Sequence, residues 1–193
     1  MVAESDLVVR LGGLAAIMGG LLWGVKALIG TASTSLLWPA KSSDPLFVTA
    51  QLLFLAGLVG LYTRYKDSLE GPGEGGVAFT LSSIGGIASC VGQVGLLSTE
   101  VAWYVFGLGC VVECIGLMAL GAAASHEKTL PYWSSLPFVI SLVGSFSFPI
   151  GNSPNGVLEI YLAVALRTLF GLGWALVGYH LFFSGSGKEA YGT

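Results

Sequence analysis

The chain has 193 residues, of which 54% are hydrophobic and 10% charged, and its net charge is −3. Soluble domains carry about 25% charged residues, so the composition leaves too little polar surface for a water-exposed globule. No basic patch with interleaved aromatics is present, which excludes a nucleic-acid partner.

Mean hydropathy is +0.80, and glycine numbers 29. Glycine weakens an isolated helix in water, but in a membrane it lets helices approach closely. The expected fold is an all-α integral membrane protein, a single domain over residues 1–193 forming a compact bundle of six transmembrane helices. Its first partner is the lipid bilayer.

Glu4 and Asp6 precede the first apolar run, where a signal peptide would be basic. The run continues to about Gly30, longer than a signal core, and reads as a retained span. A span needs about 20 mainly apolar residues. That length places spans near 7–30, 46–65, 76–98, 101–124, 132–151 and 156–184.

In the first span Gly12, Ala16, Gly20 and Gly24 recur at every fourth position. Such a stripe lets another backbone approach, either within the bundle or in a partner subunit or second copy. Leu52–Tyr62 of the second span echoes Leu169–Tyr179 of the sixth, as a weak internal repeat would. The third span carries Ser82, Gly86 and Cys90, with Gly85 and Ser89 beside them. Only Ser98, Thr99 and Glu100 separate it from the fourth, which predicts a tight antiparallel hairpin. Cys90, Cys110 and Cys114 all fall inside spans and read as small buried hydrophobes. Pro149 lies near the end of the fifth span, before a connection dense in proline, glycine and asparagine.

Six spans put both termini on one side, together with Arg10, Arg64, Lys66, Lys128 and Lys188. The other side holds Lys41. The positive-inside rule then predicts cytoplasmic termini, in a bacterial-type cytoplasmic membrane. Trp38, Trp103, Trp133, Tyr104 and Tyr132 fall near span ends and suit interfacial anchors.

Four ionisable residues interrupt the spans: Lys26, Glu113, Glu159 and Arg167. A charge at the bilayer centre costs at least ~2.5–3.5 kcal/mol, so its presence calls for a partner or a purpose. At a rise of ~1.5 Å per residue, Glu113 and Arg167 lie roughly 18 and 16 Å from the outer ends of their spans. Similar depth and opposite sign predict a midplane pair. Lys26 and Glu159 lie nearer the outer ends and could form a shallower one. Gln51 and Gln93 fall in the same outer half, and Trp23 stands one turn before Lys26.

Apolar walls with a few polar groups suit a small-molecule pocket. The candidate ligand residues are therefore Glu113, Arg167, Lys26, Glu159, Gln51, Gln93 and Trp23. Charges of both signs suit a zwitterionic or amphipathic ligand or lipid.

His126 and His180 lie at the inner end without a carboxylate cluster, so no metal is expected. No cofactor is implied. The motifs of zinc proteases, serine hydrolases and P-loops are absent. The six-span layout of about this length is similar to the substrate-binding subunits of energy-coupling-factor vitamin transporters. That resemblance implies partner docking through the stripe at Gly12, Ala16, Gly20 and Gly24.

The first functional expectation is ligand binding in the outer half, for transport or sensing. A second is a membrane-embedded enzyme on a lipid or apolar substrate, with Glu113 or Glu159 as general base. A third is a non-catalytic scaffold or partner-docking subunit.

Overall fold

The computed structural model describes residues 2–32, 45–69, 74–95, 101–126, 132–152 and 157–183, which are helical throughout. The helices are α1 (Val2–Ala32), α2 (Pro45–Leu69), α3 (Glu74–Gly95), α4 (Val101–His126), α5 (Leu136–Asn152) and α6 (Val157–Phe183). Pro45 opens α2, where a missing N–H costs no helix bond. The connections between helices, with Trp38, Lys41, Lys128 and Lys188, lie outside the described residues.

Five helices are long and apolar enough to cross a membrane, and by composition they point to a membrane location. The exception is α5. Its 17 residues cover about 25 Å at ~1.5 Å each, short of the ~30 Å hydrocarbon core. A single 3-10 turn, Tyr132–Ser135, extends it. The helix continues through Pro149, so no early break occurs there.

The helices pack in chain order, and α6 closes the ring against α1. Close approach at small residues sets the arrangement. In α3 and α4, a Cβ on Gly85 would strike the backbone of Glu113 and Gly109. One on Gly92 would strike Phe106 and Ala102, and one on Gly116 would strike Ser82 and Ala78. The partner number falls as the glycine number rises, so α3 and α4 form the antiparallel hairpin that the short connection predicts.

The same rule orders α1 between α2 and α6. A Cβ on Gly12 would come within 2.7 Å of Gly60 Cα, and one on Gly57 within 2.7 Å of Ala16 Cβ. Gly13 faces Gly178 and Phe182, and Gly20 faces Gly171 and Ala175. The first-span stripe is thus largely consumed inside the bundle: Gly12 and Ala16 lie on α2, and Gly20 lies on α6. At Gly24 a Cβ would meet nothing within 4 Å. The two echoing segments of α2 and α6 flank α1 and run the same way.

Large and small side chains are distributed opposite to a water-soluble helix. In α3 the buried residues are Gly75, Ala78, Ser82, Gly85, Gly86, Ser89, Cys90, Gly92 and Gln93. Val77, Leu81, Ile84, Ile87, Val91 and Val94 face outward. Water would favour the reverse. A bilayer is indifferent to outward leucine, and close backbone packing then holds the helices together. The pattern is compatible with a membrane protein.

α1 starts and α6 ends at one end of the bundle, here the terminal end; the opposite end is the distal end. A continuous apolar core runs from the terminal half, with Val9, Leu61, Tyr65, Leu120, Trp133 and Leu181, to Phe54 and Trp174, where Trp23 and Phe170 pack against it. Trp133 belongs to this core rather than to an interfacial girdle. It stacks on His180, with centroids 4.8 Å apart and planes at 9°, and lies 5.6 Å from the Tyr65 ring. The buried polar side chains Gln51, Gln93 and Glu113 lie from mid-bundle toward the distal end.

Gly109→Val places a branched side chain against the Ser89 and Gly85 backbones. It is expected to destabilise by roughly 1–3 kcal/mol or to prevent folding. Gly24→Ala enters open space and should stabilise by up to about 1 kcal/mol through helix propensity. Thermal unfolding in detergent micelles compares the two.

Candidate functional site

The centre of the candidate site is Glu113, on the face of α4 that packs against α3. Gly109 and Gly116 stand one turn either side of it, and Gly85 of α3 lies against its backbone. That approach buries the carboxyl group, leaving Glu113 7% exposed. Gln51 of α2 is 3% exposed, and its Nε2 donates to both carboxylate oxygens, at 2.5 and 2.6 Å. The Ser89 hydroxyl of α3 lies beside the same carboxyl. Three helices thus converge on one acidic group. Cys90, Cys110 and Cys114 stand around it. No group of His, Cys, Asp and Glu able to hold a metal ion occurs among the described residues.

The expected Glu113–Arg167 pair does not form, and the carboxyl group takes the Gln51 amide instead. The reason is topological. α5 stands between α4 and α6. A Cβ on Gly144 of α5 would meet Phe170 of α6 at 3.0 Å and the Cys114 sulfur of α4 at 3.5 Å. Equal depth in two spans does not make them neighbours.

Four of the remaining candidates, Trp23, Lys26, Glu159 and Arg167, lie on α1 and α6, and Gln93 lies on α3. The Lys26 ammonium stands 5.3 Å from the Trp23 ring and 5.1 Å from the Phe47 ring, within cation–π range. Gly20 faces Gly171, so the antiparallel register brings Lys26 level with the turn of α6 that carries Arg167. Glu159 lies farther out, in the first turn of α6. Gln93 is buried two turns distal to the Glu113 level, where α3 meets Phe106.

An aromatic cluster joins the two groups. Trp23 lies 5.1 Å from Phe47, 6.2 Å from Phe54 and 5.8 Å from Phe170. Phe47 meets Phe106 edge-on at 5.1 Å, and Phe54 stacks on Trp174 at 5.0 Å.

Trp23 Nε1 and Trp174 Nε1 of this cluster and Thr168 Oγ1 of α6 are buried without a hydrogen-bond partner, as is Tyr65 Oη in the terminal core. Such atoms are rare in folded proteins and costly. Thr168 stands out because other helical hydroxyls are satisfied within their own helix. Ser82 donates to the Ala78 carbonyl, Ser89 to Gly85, Ser141 to Pro137 and Ser145 to Ser141. Thr168 makes no such bond, and it lies one turn distal to Gly171, which packs against the Trp23 Cβ. All four atoms are donors, so what they lack is an acceptor.

The role of Thr168 and Ser89 was not legible from polarity, since serines and threonines are scattered along every span. Phe47 was more accessible. It precedes Gln51 by one turn and shares the Phe47–Gln51–Phe54–Leu58 stripe.

No family model, no curated protein and no solved structure matches the chain.

Gln51→Leu removes the carboxyl group's amide partner and should cost roughly 1–3 kcal/mol. Adding Glu113→Leu to that variant should recover most of the loss, because no unpaired polar group is then left. A double-mutant cycle by unfolding in detergent measures the coupling.

Proposed function

We propose that this chain is a multi-pass protein of a bacterial-type cytoplasmic membrane, with cytoplasmic termini. In its distal half it binds a small zwitterionic or amphipathic ligand or lipid, for transport or sensing. The observation that carries this reading is the set of buried donors without acceptors, Trp23 Nε1 and Thr168 Oγ1, at the junction of α1 and α6.

A folded bundle keeps unsatisfied buried donors only at a cost, about 1–3 kcal/mol each. An acceptor group on a ligand would remove that cost. The cationic side chains of Lys26 and Arg167 stand on the same side of the site, which favours a carboxylate, phosphate or carbonyl there. Across the aromatic cluster, Gln93 offers its amide to a second polar group on the ligand, beside the Gln51–Glu113 pair. The rings between them suit its apolar body. Glu159, at the distal mouth, adds a charge of the opposite sign to Lys26.

The terminal half is filled by close-packed apolar residues, so the distal half is where a ligand can be polar. Partner docking through the first helix is less favoured, since Gly12, Ala16 and Gly20 are already covered by α2 and α6.

Native mass spectrometry of the gently purified protein tests the reading. A discrete small molecule is expected on wild type. Trp23→Phe deletes the indole N–H and should weaken its retention roughly fivefold, as loss of about 1 kcal/mol implies. Thr168→Val keeps the shape and removes the hydroxyl. It should reduce occupancy while stabilising the empty protein. Equal occupancy in wild type and both variants would reject the site.

A further inference from the structure

The helices pack backbone to backbone in two sets: α3 with α4, which also meets the α5 backbone at Gly121 and Phe138, and α1 with α2 and α6. Between α2 and the α3/α4 hairpin, the contacts named here are made by side chains. Tyr62 stacks on Phe79 at 4.2 Å, Phe47 meets Phe106 at 5.1 Å, and Gln51 reaches Glu113. A Cβ on Gly86 of α3 would meet the Leu55 and Gln51 side chains of α2. Glu113 therefore sits on a seam between two more tightly built units.

The hydrogen bonds around Glu113 have a direction. Ser89 donates its own proton to the Gly85 carbonyl at 2.8 Å. Its oxygen is then left as an acceptor toward the Glu113 carboxyl, and a carboxylate has no proton to offer it. A carboxylic acid does. With a proton on Glu113 the chain closes: Gln51 N–H to the carboxyl oxygen, carboxyl O–H to Ser89 Oγ, and Ser89 O–H to Gly85 C=O. Every donor has an acceptor, and no net charge is buried. The alternative, a bare carboxylate, would face a neutral amide, a hydroxyl and three thiols. Burial of a charge without a cationic partner is strongly unfavourable.

We propose that Glu113 is a proton-binding site, and that its proton joins the α3/α4 hairpin to α2 through Ser89 and Gln51. A metal cation is a poorer occupant, because hard cations need several oxygen ligands. Here the neighbours beyond Gln51 and Ser89 are glycine backbone and sulfur. The titratable groups facing Glu113 are Cys90 of α3 and Cys110 and Cys114 of its own helix. From α2 it meets the neutral Gln51, and α5 brings Ser145 against Cys114. Release of the proton to water leaves a carboxylate that the seam does not stabilise. Proton occupancy and closure of the seam are thereby linked. The inference shares Glu113 and Gln51 with the ligand reading but concerns a different ligand, the proton.

Infrared difference spectroscopy of the full chain in lipid nanodiscs, freed of small molecules, provides the test. A carboxylic acid C=O band that downshifts in D2O and disappears in Glu113→Gln is expected. Gln51→Leu should move the band to higher frequency, because the C=O loses its donor. If Glu113→Gln fails to fold, Glu113→Asp supplies the same assignment through a displaced band. Absence of any such band throughout the pH range of the folded protein overturns the proposal. So does its loss on adding sodium at constant pH. Because the sample carries no small molecule, the result is independent of whether the ligand reading holds.

Discussion

Contact between glycine-rich helix faces is the constraint on which the rest of this structure depends. In water, helices associate because burying leucine is favourable. In an apolar solvent that drive is absent, and what remains is dispersion between surfaces that can come close. Gly85 against Gly109, Gly12 against Gly60 and Gly20 against Gly171 supply that closeness. Even one methyl at most of these positions would push two backbones apart. The large aliphatic residues are released to the outside, where they cost nothing in lipid.

The same packing determines how a polar group can be carried inside. Glu113 is held where α3 approaches most closely, between Gly109 and Gly116 on its own helix. Water is excluded there, so the carboxyl group must be satisfied by fixed partners. Gln51 comes from a helix that α4 meets chiefly through side chains, which makes the pair a tie across a seam rather than part of a close backbone contact. The aromatic cluster on the other side of that seam fills the centre with rings instead of aliphatic chains. Rings leave edges and N–H groups, and the unmatched donors of Trp23 and Trp174 follow from that choice. The terminal core carries one such atom as well, the Tyr65 hydroxyl.

Much of this was legible in the chain. Long apolar stretches announce helices because each must satisfy its own backbone in lipid, and short connections such as Ser98–Glu100 force neighbours to be antiparallel. The small-residue stripe on α1 was visible as periodicity, and so was the interest of Glu113, Gln51 and Gln93, whose polarity is anomalous within a span. What periodicity cannot supply is the occupant of a face. The stripe on α1 reads identically whether α2, α6 or another protein covers it. The pairing of Glu113 with Arg167 failed for the same reason: depth is a one-dimensional quantity, and α5 intervenes in the plane. Trp133 looked like an anchor because it lies near a span end, yet the 3-10 turn folds it back onto His180 and Tyr65.

The chain alone thus carries the all-helical class, the six helices, their alternating direction and which residues are out of place in them. Each of these follows from composition and from spacing along a single helix. The folded bundle adds that Gln51 reaches Glu113, that Lys26 stands over the Trp23 and Phe47 rings, and that Thr168 lacks the bond made by serines of α3 and α5. Those are relations between helices around the bundle axis. They depend on the angular order in which close contacts can all be satisfied at once, and no single span carries that information.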